Sequence, residues 1–290
     1  VVNKKYIIAS DLGGSGTKTM IFDLEGNPIV KGNHESHIEH AEAGVTHQNP
    51  DDIFNSFVFS TKECIEASKI SPNSVEAIVL DGQQAGIMWV DREYKAASPY
   101  DSWLDTRFGP YVDYMNNICG KRILEKSGTN NFTTGPKILW WKENHPELFK
   151  NNFFKMVVPS TYLGGRLAAL KGEDAYFEET TLGFSGIADI QNSQWDQEIC
   201  DLTGIPVNKL PKIVKPTEII GKLSKEVSRE LGLPNGIPII AGAGDFPAGA
   251  LGAGICHSGQ FGEIVGTANS LFVGLNQWLP DPTGILRVLK

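Results

Sequence analysis

The feature that most constrains this chain is its first glycine-rich loop, Asp11-Leu12-Gly13-Gly14-Ser15-Gly16-Thr17-Lys18, and what lies on either side of it. Tyr6-Ile7-Ile8-Ala9 before it and Thr19-Met20-Ile21-Phe22-Asp23 after it both read as β-type runs. Glu25-Gly26-Asn27-Pro28 then turns the chain into Ile29-Val30-Lys31. The loop therefore joins strand to strand. A dinucleotide-binding loop has to open a helix, and a P-loop needs glycine directly before its lysine, where this chain has Thr17. What remains is a glycine hairpin whose amides and hydroxyls can converge on an anion, with Asp11 placed to hold Mg²⁺. The donors of Gly13, Ser15, Gly16, Thr17 and Lys18 are the candidate phosphate cradle, and the turn is expected to be longer than a bare hairpin needs. The plainer reading is a flexible hairpin capped by an Asp.

Further along, Asn49-Pro50-Asp51-Asp52 caps a helix expected to run to about Ser68. Val75 to Leu80 reads as a buried strand ending at Asp81-Gly82-Gln83, the stretch from Phe108 to Gly172 as mostly helical with a helix end at His145-Pro146, and Leu223 to Leu231 as a helix. Pro238-Ile239-Ile240-Ala241 is a strand running into Gly242-Ala243-Gly244-Asp245, followed by a small-residue helix from Pro247 to Gly254 and two strands around Gly266-Thr267. Alternating strands and helices mean an α/β protein, and 290 residues suit about two domains.

Composition narrows the function. With 41% hydrophobic and 21% charged residues, the chain is neither disordered nor fibrous. Its formal net charge of −8, with no basic run, argues against nucleic acid as a partner. Cys64, Cys119, Cys200 and Cys256 are scattered and suggest free thiols in a reducing, cytoplasmic setting. No apolar run approaches the roughly 18 residues of a membrane span.

Four more constellations carry chemistry. Asp245 stands alone at the end of an apolar strand, where ligands collect in open α/β sheets; it reads equally as a general base for a hydroxyl and as a helix cap. In Trp103-Leu104-Asp105-Thr106-Arg107, a strand would put the indole, carboxylate and guanidinium on one face, suited to a polyol; an ordinary Asp–Arg surface pair is the alternative. Gln83 and Gln84 follow a strand and offer amides to hydroxyls, or form a polar turn. His34, His37 and His40, with Glu35 and Glu39, have metal-like spacing but no helix start, so a solvated loop is expected.

Taken in order, these residues resemble the FGGY family of carbohydrate kinases, of the actin-like ATPase (ribonuclease H-like) fold. The Asp11–Thr17 segment is similar to the family's first phosphate motif, departing from it at Gly14-Ser15. Gly44, Gln48 and Pro50 resemble the segment before its first helix, and Gly82-Gln83 and Trp103-x-Asp105-x-Arg107 its sugar-contact motifs. Pro136 to Trp140, Glu143-Asn144-x-Pro146-Glu147, Trp195-Asp196, Gly204-Ile205-Pro206 and Leu210-Pro211 follow in family order, then Gly244-Asp245 and Gly266-Thr267. The likeness is nearest to the xylulokinase branch, but Ala85 stands where that branch has a histidine.

The resemblance implies an ATP-dependent phosphotransferase acting on an alcohol group of a sugar or polyol, such as a ketopentose. It implies Asp245 as catalytic base and Gln83, Gln84, Trp103, Asp105 and Arg107 as substrate contacts. Asp11, Gly13, Ser15, Gly16, Thr17, Lys18, Gly266 and Thr267 would meet ATP, and Asp11 with Asp245 would meet Mg²⁺. It divides the chain into a complete N-terminal domain, 1–246, and the beginning of an ATP-binding domain, 247–290, so that a longer protein is expected. A homodimer is among the assemblies it allows. A sugar-binding or regulatory relative that no longer transfers phosphate is the alternative, and an actin-like nucleotide switch a third.

Overall fold

The computed structural model describes residues 4–265 and 270–289. Its centre is a six-stranded sheet. The strands are β1 (Tyr6–Gly13), β2 (Gly16–Asp23), β3 (Pro28–Glu35), β4 (Val75–Gly82), β5 (Ile219–Lys222) and β6 (Pro238–Gly244), in the order β5-β6-β4-β1-β2-β3. β1, β4 and β6 run parallel, and the outer strands are antiparallel to their neighbours.

One face of the sheet is covered by three helices: α1 (Pro50–Ser68), the helix Pro159–Ala168 and the helix Lys225–Leu231. Asn49 caps α1 by accepting the Asp51 amide at 2.9 Å, and Pro50 starts the helix where no N–H is needed. Ile53, Phe54, Phe57, Val58 and Cys64 recur at helical spacing and pack against Ile8, Leu12 and Ile21 of β1 and β2. Each such buried side chain contributes about 1.5–3 kcal/mol. A second core is built from Gly109–Ser127, Thr134–Asn144 and the short strands that follow, around Trp89, Met115, Phe132, Phe153 and Phe177. A small three-stranded sheet of Ile38–Glu42, Val45–Gln48 and Tyr100–Asp101 stands beside the glycine hairpin.

Two glycines fix how the site is reached. Gly13 pairs with Gly16, so only Gly14 and Ser15 form the turn, and the hairpin is tighter than its sequence predicts. Strand β3 passes close beneath: a Cβ on Gly16, at φ +153, would sit 2.4 Å from the carbonyl oxygen of His34. The second is Gly242. Ile240 pairs with Val79 and Ala243 with Asp81, so two residues of β6 oppose Leu80 alone. This is a β-bulge, and it turns the end of β6. Gly242 has φ +77, and a Cβ there would lie 1.6 Å from the Leu80 carbonyl oxygen.

Past the bulge, helix Asp245–Gly252 begins directly at Asp245, two residues earlier than the sequence predicts. An antiparallel hairpin, Phe261–Ile264 with Ser270–Val273, follows. The chain then returns to the second core: the Trp278 indole donates to the Glu125 carbonyl at 3.3 Å, and the Arg287 guanidinium lies 3.9 Å over the Phe184 ring. Gly266 and Thr267, the expected second phosphate loop, lie outside the described residues.

Of the three histidines only His37 lies in a loop, and the other two lie on strands. His34 lies on β3 and stacks on Phe59, His37 meets the Asp52 carboxylate at 3.1 Å, and His40, on Ile38–Glu42, meets the Thr46 hydroxyl at 3.1 Å.

Candidate functional site

The parallel strands β1, β4 and β6 end side by side, and each delivers one carboxylate. Asp11 is the register partner of Asp81, so the two side chains leave the same face of the sheet. The Gly242 bulge then brings Asp245 to the end of the third strand. Asp245 Oδ1 accepts the Phe246 amide at 2.7 Å, while Gly244 occupies the N-cap position. Burial pushes the Asp245 carboxyl up to about 6; the Phe246 amide offsets part of this and the Asp11 charge adds to it. Asp81 is pushed further, to about 8, by burial and then by the charges of Asp11 and Asp245. Its Oδ1 is enclosed and has no hydrogen-bond partner. The sequence reading missed Asp81 as a site residue. Its only signal was a carboxylate closing an apolar strand, which gains meaning once the register sets it against Asp11.

An ionised carboxylate enclosed beside two others is destabilising. Because the folded state holds the Asp81 proton to about pH 8 and the unfolded chain releases it near 3.8, stability falls as pH rises between those values. Asp81→Asn is therefore expected to stabilise the protein by about 2–4 kcal/mol at pH 8 and hardly at all near pH 4. Urea unfolding of both variants at the two pH values, in chelator, checks this; equal gains at both would mean the carboxylate is not the cause.

The same donors suit a hard, hydrated divalent cation. Among the described residues no three His, Cys, Asp or Glu side chains lie close enough to chelate an ion on their own. Mg²⁺ asks for less: it keeps most of its waters and takes one or two carboxylates. Asp11 and Asp245 fit that role, with the enclosed Asp81 Oδ1 left unpartnered beside them, and a cation there would offset the mutual repulsion of the three carboxyl groups.

The glycine hairpin presents fewer groups than expected. Thr17 is buried and its hydroxyl pairs with Ser56 at 2.6 Å, so it faces the core rather than a phosphate. The hairpin's pairing dictates this, since alternate residues of β2 point inward. Ser15 is exposed at the tip, and Lys18 reaches Asp11 at 3.4 Å. Gln48 Nε2 donates to the Gly14 carbonyl at 2.9 Å and Gln83 Nε2 to Gln48 Oε1 at 2.6 Å, bracing the turn from behind.

The polar loops read as sugar contacts are arranged differently from their prediction. Residues 102–108 form turns, not a strand, so Trp103, Asp105 and Arg107 do not share a strand face. Trp103 is 42% exposed, whereas Asp105 is 2% exposed. The Asp105 carboxylate accepts the Thr46 amide at 2.9 Å, and Arg107 Nε reaches both its oxygens, at 2.9 and 3.1 Å. Arg107 also bridges to Asp101 at 2.7 Å and lies 4.1 Å over the Trp140 ring. Asp105 thus serves to hold the loop and aim Arg107. Behind it, buried Lys137 donates to the Asp101 and Ser102 carbonyls, and burial lowers its ammonium to about 8. Gln84 is buried, with Nε2 on the Thr180 carbonyl at 3.3 Å; the Oε1 atoms of Gln83 and Gln84 are both enclosed and unpartnered. Ala85 adopts φ 63 between them and Gly86.

Residues 6–252 match the sequence model of the FGGY family of carbohydrate kinases, N-terminal domain. The xylulose kinase of Bacillus subtilis (strain 168) is 28% identical over 266 residues, 91% of this chain and 52% of that one. An autoinducer-2 kinase of Yersinia pestis bv. Antiqua (strain Angola) is 24% identical over 298 residues, 98% of this chain and 54% of that one. Among solved structures, gluconate kinase from Lactobacillus acidophilus superposes with a TM-score of 0.88 at 25% identity, over 97% of this chain and 56% of that one. The chain spans about half the length of the curated relatives it matches. Six strands in the order found, with the site at the ends of β1, β4 and β6, are the α/β core of an actin-like ATPase fold. By its sequence over residues 6–252 and by its fold, the chain belongs to the FGGY family of carbohydrate kinases.

Proposed function

We propose that the protein transfers the γ-phosphate of ATP to a hydroxyl of a ketopentose such as xylulose. The observation that carries this is Asp245: a carboxylate delivered by the bulge to the meeting point of three parallel strands, beside Asp11 and Asp81, partly buried, with its basicity raised. As the sugar oxygen attacks the γ-phosphorus, Asp245 takes its proton; the new O–P bond forms as the bond to the β-phosphate oxygen breaks, and ADP leaves. The sugar is held by Gln84, Arg107 and Trp103, with Asp105 aiming the guanidinium. The hairpin tip at Gly13–Gly16 and Lys18 faces the phosphates. Asp11 and Asp245 would hold Mg²⁺, which would supply charge neutralisation for the phosphates. Residues 1–246 carry the sugar and the base, and 247–290 begin the ATP-binding part.

Support for a ketopentose comes from the xylulose kinase relative; the autoinducer-2 and gluconate kinases mark the range of substrates to include in a test. The test is ADP release from the gene's full-length product with ATP and Mg²⁺, against pentuloses, hexuloses, gluconate and polyols. Turnover stimulated at least tenfold by a pentulose over the others is the expected result. Tight sugar binding without turnover on any of them would instead mean a relative that has lost phosphate transfer.

A further inference from the structure

Thr180 touches both halves of the site from behind. It is the second residue of the short 3₁₀ turn Glu179–Phe184, just after strand Tyr176–Glu178. Its hydroxyl accepts the backbone N–H of Gly244, the residue before Asp245, at 2.9 Å. Its carbonyl accepts Nε2 of Gln84 at 3.3 Å. Behind Thr180 lies Glu178, 0% exposed, whose Oε2 accepts both the Thr180 amide and the Thr180 hydroxyl at 2.7 Å. A hydroxyl has one proton to give. With that proton committed to Glu178, the lone pairs of Thr180 are left for Gly244. Glu178 thereby fixes the rotor, and the rotor fixes the turn. Its other oxygen is held by the Thr181 hydroxyl, so the carboxylate itself has little freedom to turn.

We propose that Thr180 is a positioning residue for phosphoryl transfer. Its hydroxyl, oriented by Glu178, holds the Gly244 turn so that Asp245 points at the substrate hydroxyl, and its carbonyl sets the Gln84 amide in the same frame. The proposal rests on the reading of Asp245 as the base. Thr180 is buried behind Gly244 and Gln84 and acts through them. It acts where a small misplacement of the base costs rate, because the proton must pass at hydrogen-bond distance.

Thr180→Val, Thr180→Ala and Thr180→Ser, made in the gene's full-length product, separate the hydroxyl from the packing. Valine keeps the volume and loses the hydroxyl; serine keeps the hydroxyl. With the best sugar from the substrate panel, Val and Ala are expected to lower kcat by roughly 10–100-fold with KM for sugar and ATP within about threefold, and Ser to stay within about threefold of wild type. Amide exchange is the second measurement: in Val and Ala the Gly244 amide should exchange at least about tenfold faster than in wild type, with the rest of β6 unchanged. A misfolded Val or Ala variant would not mask the result, because Ser and the other of the two still test the hydroxyl. Unchanged kcat in Val and Ala, or a Ser variant as slow as they are, overturns the proposal, as does an unaltered Gly244 exchange rate. Should the wild-type protein phosphorylate nothing, the kinase reading fails by itself, and the Gly244 exchange rate still decides whether Thr180 holds the turn.

Discussion

Asp245→Asn is expected to lower kcat by about 10³-fold or more while leaving sugar affinity within about threefold of wild type. Asparagine preserves the shape and the acceptor oxygen that meets the Phe246 amide, so the helix start survives. It cannot take a proton. Loss of turnover with retained binding is the signature of a group used in the transition state and not in holding the sugar. The pH profile is a companion expectation. Asp245 must be ionised to act, and burial raises its carboxyl to about 6, so kcat/KM should climb through a midpoint near that value and level off above it. Mg²⁺ beside the carboxylate favours the ionised form, so saturating metal moves this limb to lower pH. Isothermal titration for the sugar and coupled ADP release for turnover provide the measurements. Turnover within tenfold of wild type in Asp245→Asn would falsify the assignment.

Gly242→Ala is expected to cost at least about 3 kcal/mol of stability, a large effect for one methyl group. Two penalties combine. The backbone at φ +77 disfavours any side chain, by about 1–2 kcal/mol. The added Cβ would also meet the Leu80 carbonyl oxygen at 1.6 Å, well inside contact distance. That oxygen is backbone in the middle of the sheet and has no flexible end to swing away, so β4 and β6 must separate or the bulge must slip. A slip by one residue would move Asp245 away from Asp11 and Asp81 even in a folded chain. Activity should therefore fall further than stability explains. Denaturant midpoints, taken with turnover at a temperature where the variant is still folded, provide the check; near-wild-type values for both would mean that the bulge is not as described.

The local parts of this fold are legible in the sequence because their causes are local. Asn49-Pro50-Asp51 announces α1, Glu25-Gly26-Asn27-Pro28 announces the turn into β3, and the apolar run before Asp245 announces β6. What the sequence conceals depends on partners far along the chain. The alternation at 103, 105 and 107 fits a strand equally well, and only the distant Thr46 amide shows why Asp105 turns inward and takes Arg107 with it. Thr17 looks like a phosphate donor until β2 pairs with β1 and its hydroxyl meets Ser56 from α1. Asp81 is unremarkable in sequence; its meaning comes from register, which sets it against Asp11 on one side and Ala243 on the other. Thr180 is tied locally to Glu178, but the ties that connect it to the site run to distant Gln84 and Gly244, and no local pattern shows them.

The return of the chain after its last hairpin has a mechanical consequence. Past Asp245 the chain leaves the six-stranded body through β6 and is fastened again, at Trp278 and Arg287, to the second core through Glu125, Asn131 and Phe184. A piece pinned at two places keeps one easy freedom, rotation about the line through both pins, and loses sideways slip and free swing. Asp245 lies at the first of these pins, so its carboxylate is held where β6 delivers it.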